Sequence, residues 1–176
     1  MGVPLGLEAF TNQSRGEHAL VIAGGAVACL VAYVGAAALF FGVSALDHGG
    51  PAGPRRVASV FASLACWGVY TAAFVRGKGG PVRNVLVYPV ATVAVVPFAF
   101  RWLAFGPDWG GLRERLGFVL FDPALFVDAG ALLVPGIAFC GALLTVWASL
   151  LSDDAIRDWQ QRHLSRAFRE AFVDGE

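Results

Sequence analysis

The chain has 176 residues, of which 57% are apolar and only 15% charged, and its formal net charge is zero. That composition excludes an ordinary soluble domain and leaves no basic footprint for a polynucleotide, so nucleic acid is not among the expected partners. The basic residues are arginines except for Lys78, and Ala, Gly and Val dominate. We read this bias as GC-rich codon usage in a prokaryotic source.

Residues 1–18 form a short segment without a basic start, and the apolar run behind it is about twice the length of a signal-peptide core, so it reads as a retained anchor. Met1-Gly2 fits a myristoylation start, but Gly6 stands where Ser or Thr is needed. A spanning helix needs about 20 apolar residues. Four segments meet that length: 19–46, 57–75, 85–105 and 124–151. Gly/Pro-rich stretches separate them, at Asp47–Pro54, Arg76–Pro81 and Gly106–Gly111. The expected fold is therefore an all-α integral membrane domain of four helices arranged as two antiparallel hairpins. The apolar stretch 116–127 is expected to be a re-entrant or surface helix ahead of the fourth span, with Asp122-Pro123 as a helix start.

Residues 152–176 change character. Ile156, Trp159, Leu164, Ala167, Phe168, Ala171 and Phe172 share one face of a helix, and Asp158, Arg162, Arg166 and Arg169 share the other. Ser152 supplies an N-cap, and Asp158/Arg162 and Arg166/Glu170 are i,i+4 pairs. One amphipathic interfacial helix is expected, with Trp159, Arg162, Arg166, Phe168, Arg169 and Phe172 at the membrane surface. With four spans both termini share a side. That side carries Arg15, Arg76, Lys78, Arg83, Arg157, Arg162, Arg166 and Arg169, against Arg55, Arg56, Arg113 and Arg115 opposite. The positive-inside rule then places both termini in the cytoplasm.

Small residues should mediate helix packing in lipid. Gly24, Ala28, Ala32 and Ala36 recur every four residues in the first span, with Gly25 and Cys29 alongside, and are expected to face Ala58, Ala62 and Cys66. Prolines fall only in the second pair of spans. Pro89 and Pro97 should kink the third helix and free carbonyls, with Thr92 a local donor, and Pro135 should do the same in the fourth. These are the candidate kink or permeation positions.

Arg101 and Asp128 stand at matching depths near one end of the third and fourth spans. Charges in a span are costly unless paired or wet, so an ion pair between them is expected. Cys29, Cys66 and Cys140 lie in separate apolar runs without a CxxC spacing, which predicts buried thiols rather than disulfides. His18 and His163 are expected at one membrane face and His48 at the other, so no metal site is expected. Glu17 beside His18 could handle a proton.

Ser149 and Ser152 lack a buried base. Catalysis would have to come from loop residues such as Asp108, Arg113, Glu114 and Arg115. No catalytic residue or cofactor is therefore expected. The leading expectation is an accessory or structural subunit whose partners are the lipid bilayer and a larger membrane protein or further copies of itself. The alternative is an oligomeric small-solute or ion transporter or channel.

Overall fold

A computed structural model describes residues 14–116 and 123–174. Residues 1–13 and 117–122 therefore lie outside the described residues, and with them the myristoylation test, Asp122 and most of the expected re-entrant segment. Every described element is helical: α1 (Arg15–Phe40), α2 (Ala52–Val75), α3 (Tyr88–Phe105), α4 (Trp109–Leu116), α5 (Pro123–Ser149), α6 (Asp153–His163) and α7 (Arg166–Phe172). Four of these stretches are long and apolar enough to cross a membrane: Arg15–Phe40, Ala52–Val75, Arg83–Phe105 and Phe126–Ser149.

The boundaries follow local chemistry. α1 starts at a complete capping box, in which the Ser14 hydroxyl accepts from the Glu17 amide and the Glu17 carboxylate accepts from the Ser14 amide. It ends at Phe40 rather than near Leu46, because Gly42 takes φ 82° and a short 3-10 turn, Val43–Leu46, follows. α2 begins five residues earlier than expected. Gly53 and Pro54 fall in its first turn, where a missing amide costs nothing because no acceptor awaits it.

Ahead of α3 the chain makes a π-turn over Arg83–Val87. Pro89 cannot donate to the Val85 carbonyl one turn back, and the wider turn absorbs the mismatch. The freed Val85 oxygen accepts instead from the Trp67 indole N–H at 2.9 Å. Thr92, expected as the local donor, is engaged elsewhere, with its hydroxyl 2.7 Å from that of Tyr70.

α2 is the hub of the bundle. It runs antiparallel to α1, with Glu17 paired to Lys78 at one end and Phe40 stacked on Phe61 toward the other. It runs parallel to α5, and the two stay in register at four-residue steps. The Ser63 hydroxyl donates to the Leu132 carbonyl at 2.6 Å, Trp67 covers Gly136, and the Thr71 hydroxyl donates to the Cys140 sulfur at 3.1 Å. A Cβ on Gly136 would stand 2.2 Å from the Trp67 ring. The expected pairing of the third and fourth spans into a second hairpin is corrected here: α5 packs chiefly along α2, and α3 packs against α1 and α2 while touching α5 only slightly.

The α1 stripe is also displaced by one residue from expectation. Gly25, Cys29, Tyr33, Ala36 and Ala37 are buried, whereas Gly24 is exposed. The reason is Tyr70, whose ring crosses toward α1 where a Cβ on Gly25 would lie 2.3 Å from it. Ala58, Ala62 and Cys66 are buried as the facing surface on α2, and all three cysteines are free and buried.

Candidate functional site at the distal end

Two ends can be distinguished: a proximal end, which holds Ser14 and the tail, and a distal end, where α1 and α3 finish and α2 and α5 start. At the proximal end three backbone carbonyls at or near the end of α2 meet neutral donors. The buried Asn84 amide donates to Tyr70 O at 3.0 Å and Lys78 O at 2.8 Å, and the Trp159 indole donates to Val75 O at 2.9 Å. Trp159 also packs edge-on against Phe74 and Trp147, with centroids 5.2 and 5.1 Å away. The expected Glu17–His18 pair does not form. Glu17 takes Lys78, while His18 lies 3.2 Å from the Tyr88 hydroxyl and 3.4 Å from the Arg83 guanidinium.

The tail is two helices rather than one. Leu164 turns extended and is buried, and Ser165 caps α7 through its hydroxyl, which accepts from the Phe168 amide. Arg162–Asp158 and Arg166–Glu170 pair as expected. Of the other surface candidates, Phe172 is exposed and rests on Phe168, and Arg169 is partly covered.

The distal end is built on cations. Arg55 Nη1 donates to Asp47 O at 3.1 Å and His48 O at 3.0 Å, and Arg101 Nε donates to Leu46 O at 2.8 Å. Together they pin the loop that leaves α1. Arg101 Nη2 lies 2.9 Å from His48 Nδ1, and His48 Nε2 lies 2.9 Å from Gly106 O. Because a guanidinium only donates, Nδ1 must accept and Nε2 must carry the proton. That state leaves no Nδ1 proton for Asp108, whose carboxylate stands 3.4 Å away on the same nitrogen.

Asp128 is held by Arg56, whose Nε donates to its carboxylate at 2.6 Å. The direct Arg101–Asp128 pairing expected from matching depth is therefore not the one made. Depth was matched, but α5 lies along α2, so Arg56 is the nearer cation and Arg101 turns toward the loop. The two nevertheless line one cavity of about 50 Å³, to which Arg55, Arg56, Ser59, Arg101 and Asp128 contribute polar groups among the described residues. Tyr33, Pro97, Phe98 and Leu132 contribute to its apolar walls. Of the kink positions, Pro97 thus borders the cavity while Pro89 and Thr92 are buried deeper along α3. Pro135 lies within α5.

Among the described residues no group of His, Cys, Asp or Glu could hold a metal ion. Arg113, one of the loop residues considered for catalysis, lies on α4. The side chains of Glu114 and Arg115 lie outside the described residues. The chain matches no family model, no curated protein and no solved structure. What fold and site define is a class: an all-helical protein with four helices fit to cross a bilayer.

Proposed function

We propose that this is a multi-pass membrane protein serving as an accessory or structural subunit of a membrane complex. The observation that carries the reading is the uneven packing of α5. It is seated along one edge by α2, it meets α3 only slightly, and Phe126, Val127, Val134, Ile137 and Val146 on it are exposed. Lipid contact accounts for part of such a surface. A partner helix on that surface would add the close packing that drives association in lipid.

In this reading both termini are cytoplasmic, since the proximal end collects the larger share of Arg and Lys. α6 and α7 then lie at the inner headgroup layer, with Arg162, Arg166 and Phe172 exposed to it. The transport alternative has weaker support. Mid-span polar groups that could line a path already bond within one chain, as Ser63 does to Leu132, Tyr70 to Thr92 and Trp67 to Val85.

The test is extraction at native abundance in mild detergent, followed by sizing and mass spectrometry of what co-migrates. A larger protein in fixed stoichiometry, photocrosslinked through a probe placed at Val134 or Ile137, is expected. A chain that migrates alone, or only with copies of itself, refutes the accessory reading, and the homo-oligomer would revive transport.

A further inference from the structure

We propose that the distal cavity is a binding site for a phosphate oxyanion, presented either as the phosphodiester of an anionic lipid or as free phosphate. Among the described residues three arginines, Arg55, Arg56 and Arg101, line it against one carboxylate, that of Asp128. Arg55 and Arg56 stand within the first turns of α2, where the helix dipole already contributes positive potential. Cations placed there add to the dipole instead of offsetting it, so the cavity favours a negative guest.

Donor geometry agrees with the electrostatics. Arg55 spends Nη1 on two loop carbonyls, and Arg56 spends Nε on Asp128. Among the described residues Nε and Nη2 of Arg55 and both Nη atoms of Arg56 make no hydrogen bond, so their N–H groups remain for a guest. Guanidinium forks match phosphate oxygens in pairs. The Ser59 hydroxyl also lines the cavity, with its proton donated to Arg55 O at 2.8 Å, so the donors left for a guest are those of the arginines. The cavity, at about 50 Å³, is a few times the roughly 10–15 Å³ one water requires, enough for one small oxyanion.

The depth suits a lipid phosphate, an argument that rests on the spanning reading above. At 1.5 Å per residue the 24 residues of α2 run about 36 Å, longer than the roughly 30 Å of hydrocarbon, which leaves the turn bearing Arg55 and Arg56 at headgroup level. Trp102 and Trp109 meet edge to face at 5.0 Å at the same end, as interfacial aromatics do.

The experiment uses full-length protein in mild detergent, washed free of co-purified lipid. It is titrated with inorganic phosphate or with short-chain phosphatidylglycerol in mixed micelles, at ionic strength fixed with chloride. Short-chain phosphatidylcholine is the zwitterionic control, and the melting temperature is the readout. A saturable rise is expected with at least one anionic probe, its apparent Kd weakened about tenfold or more in both Arg55→Gln and Arg101→Gln, which is the scale of one charge at close range in a partly wet site.

Asp128→Asn removes the carboxylate that lines the cavity among the described residues and is expected to tighten binding several-fold. Its opposite sign keeps the test decisive even if an arginine variant fails to fold. A response to phosphate with or without lipid assigns a soluble ligand, and a response to phosphatidylglycerol alone assigns a lipid. The proposal is overturned by no saturable rise with either probe, by an equal rise with phosphatidylcholine, by arginine variants that bind unchanged, or by weaker binding in Asp128→Asn. None of these outcomes depends on whether a protein partner is found, so failure here and failure of the accessory reading are separable.

Discussion

The two ends of the bundle face the same problem, backbone carbonyls released where helices stop and loops begin, and meet it with different donors. At the proximal end the donors are neutral, an amide and an indole, and the nearby cation Lys78 is neutralised by Glu17. At the distal end the donors are guanidiniums, whose charge survives after the carbonyls are satisfied. A neutral donor closes a helix end and contributes nothing more. A cationic donor closes it and leaves a field, and at the distal end that field falls on the cavity lined by Arg55, Arg56 and Arg101.

If the proximal end is purely structural, its variants should cost stability without altering anion response. The largest effect is expected for Asn84→Ala. The side chain is fully buried and serves two carbonyls, so its loss removes two hydrogen bonds, at about 2–3 kcal/mol. Thermal or denaturant unfolding in detergent would measure this, and a cost below about 0.5 kcal/mol would mean that water replaces the amide. Trp159→Phe should come next, at about 1 kcal/mol, because it keeps the ring contacts with Phe74 and Trp147 but leaves Val75 O without the indole N–H. Hydrogen exchange should show α6 opening while α1 to α5 stay protected. Uniform loss of protection would instead make the tail part of the global fold.

The four candidate spans were legible because apolar length is a one-dimensional property, and their ends shifted most where the Ser14 capping box, Gly42 or the tolerance of a first turn for Pro54 intervened. What the sequence withheld was azimuth. Matching depth was the ground for pairing Arg101 with Asp128, yet depth says nothing about which helix lies beside which, and the parallel seating of α5 on α2 gave Asp128 to Arg56 while both line one cavity. A usable signal was present. Ser59, Ser63, Trp67 and Thr71 form a four-residue stripe on α2 that matches Asp128, Leu132, Gly136 and Cys140 on α5. Likewise a tryptophan at mid-span, with Pro89 freeing one carbonyl on the next helix, is a donor and an acceptor each lacking a partner. Ser165 was the missed cap that divides the tail.

The distal comparison sharpens with a double-mutant cycle. Arg56 and Asp128 are 37% and 49% exposed, so solvent screens their bond and the coupling should be only about 0.5 kcal/mol, shrinking further at high salt. Arg101 with Asp128 should couple less still, because its oriented bonds go to Leu46 and His48. A larger Arg101–Asp128 coupling, measured by the same unfolding assay, would restore the pairing first expected from depth.

The smallest effect expected is a pH dependence confined to the proximal end. Burial and the neighbouring Arg162 lower the His163 pKa below the ordinary histidine value, against an opposing pull from Asp158. Its ring packs on Trp159 with centroids 5.4 Å apart and lies over Gly77. A base whose folded pKa is depressed favours the fold in its neutral form. Its contribution is complete above the unfolded pKa of about 6.5 and is lost as pH falls through the lowered folded value. Acidification from pH 7.5 to 5 should therefore loosen α6, seen as faster exchange at Trp159 and its neighbours, while His163→Gln should flatten the profile. If the tail tightens on acidification instead, the imidazolium is being held by Asp158 and the docked ring is charged, which would give the proximal end the same cationic character as the distal one.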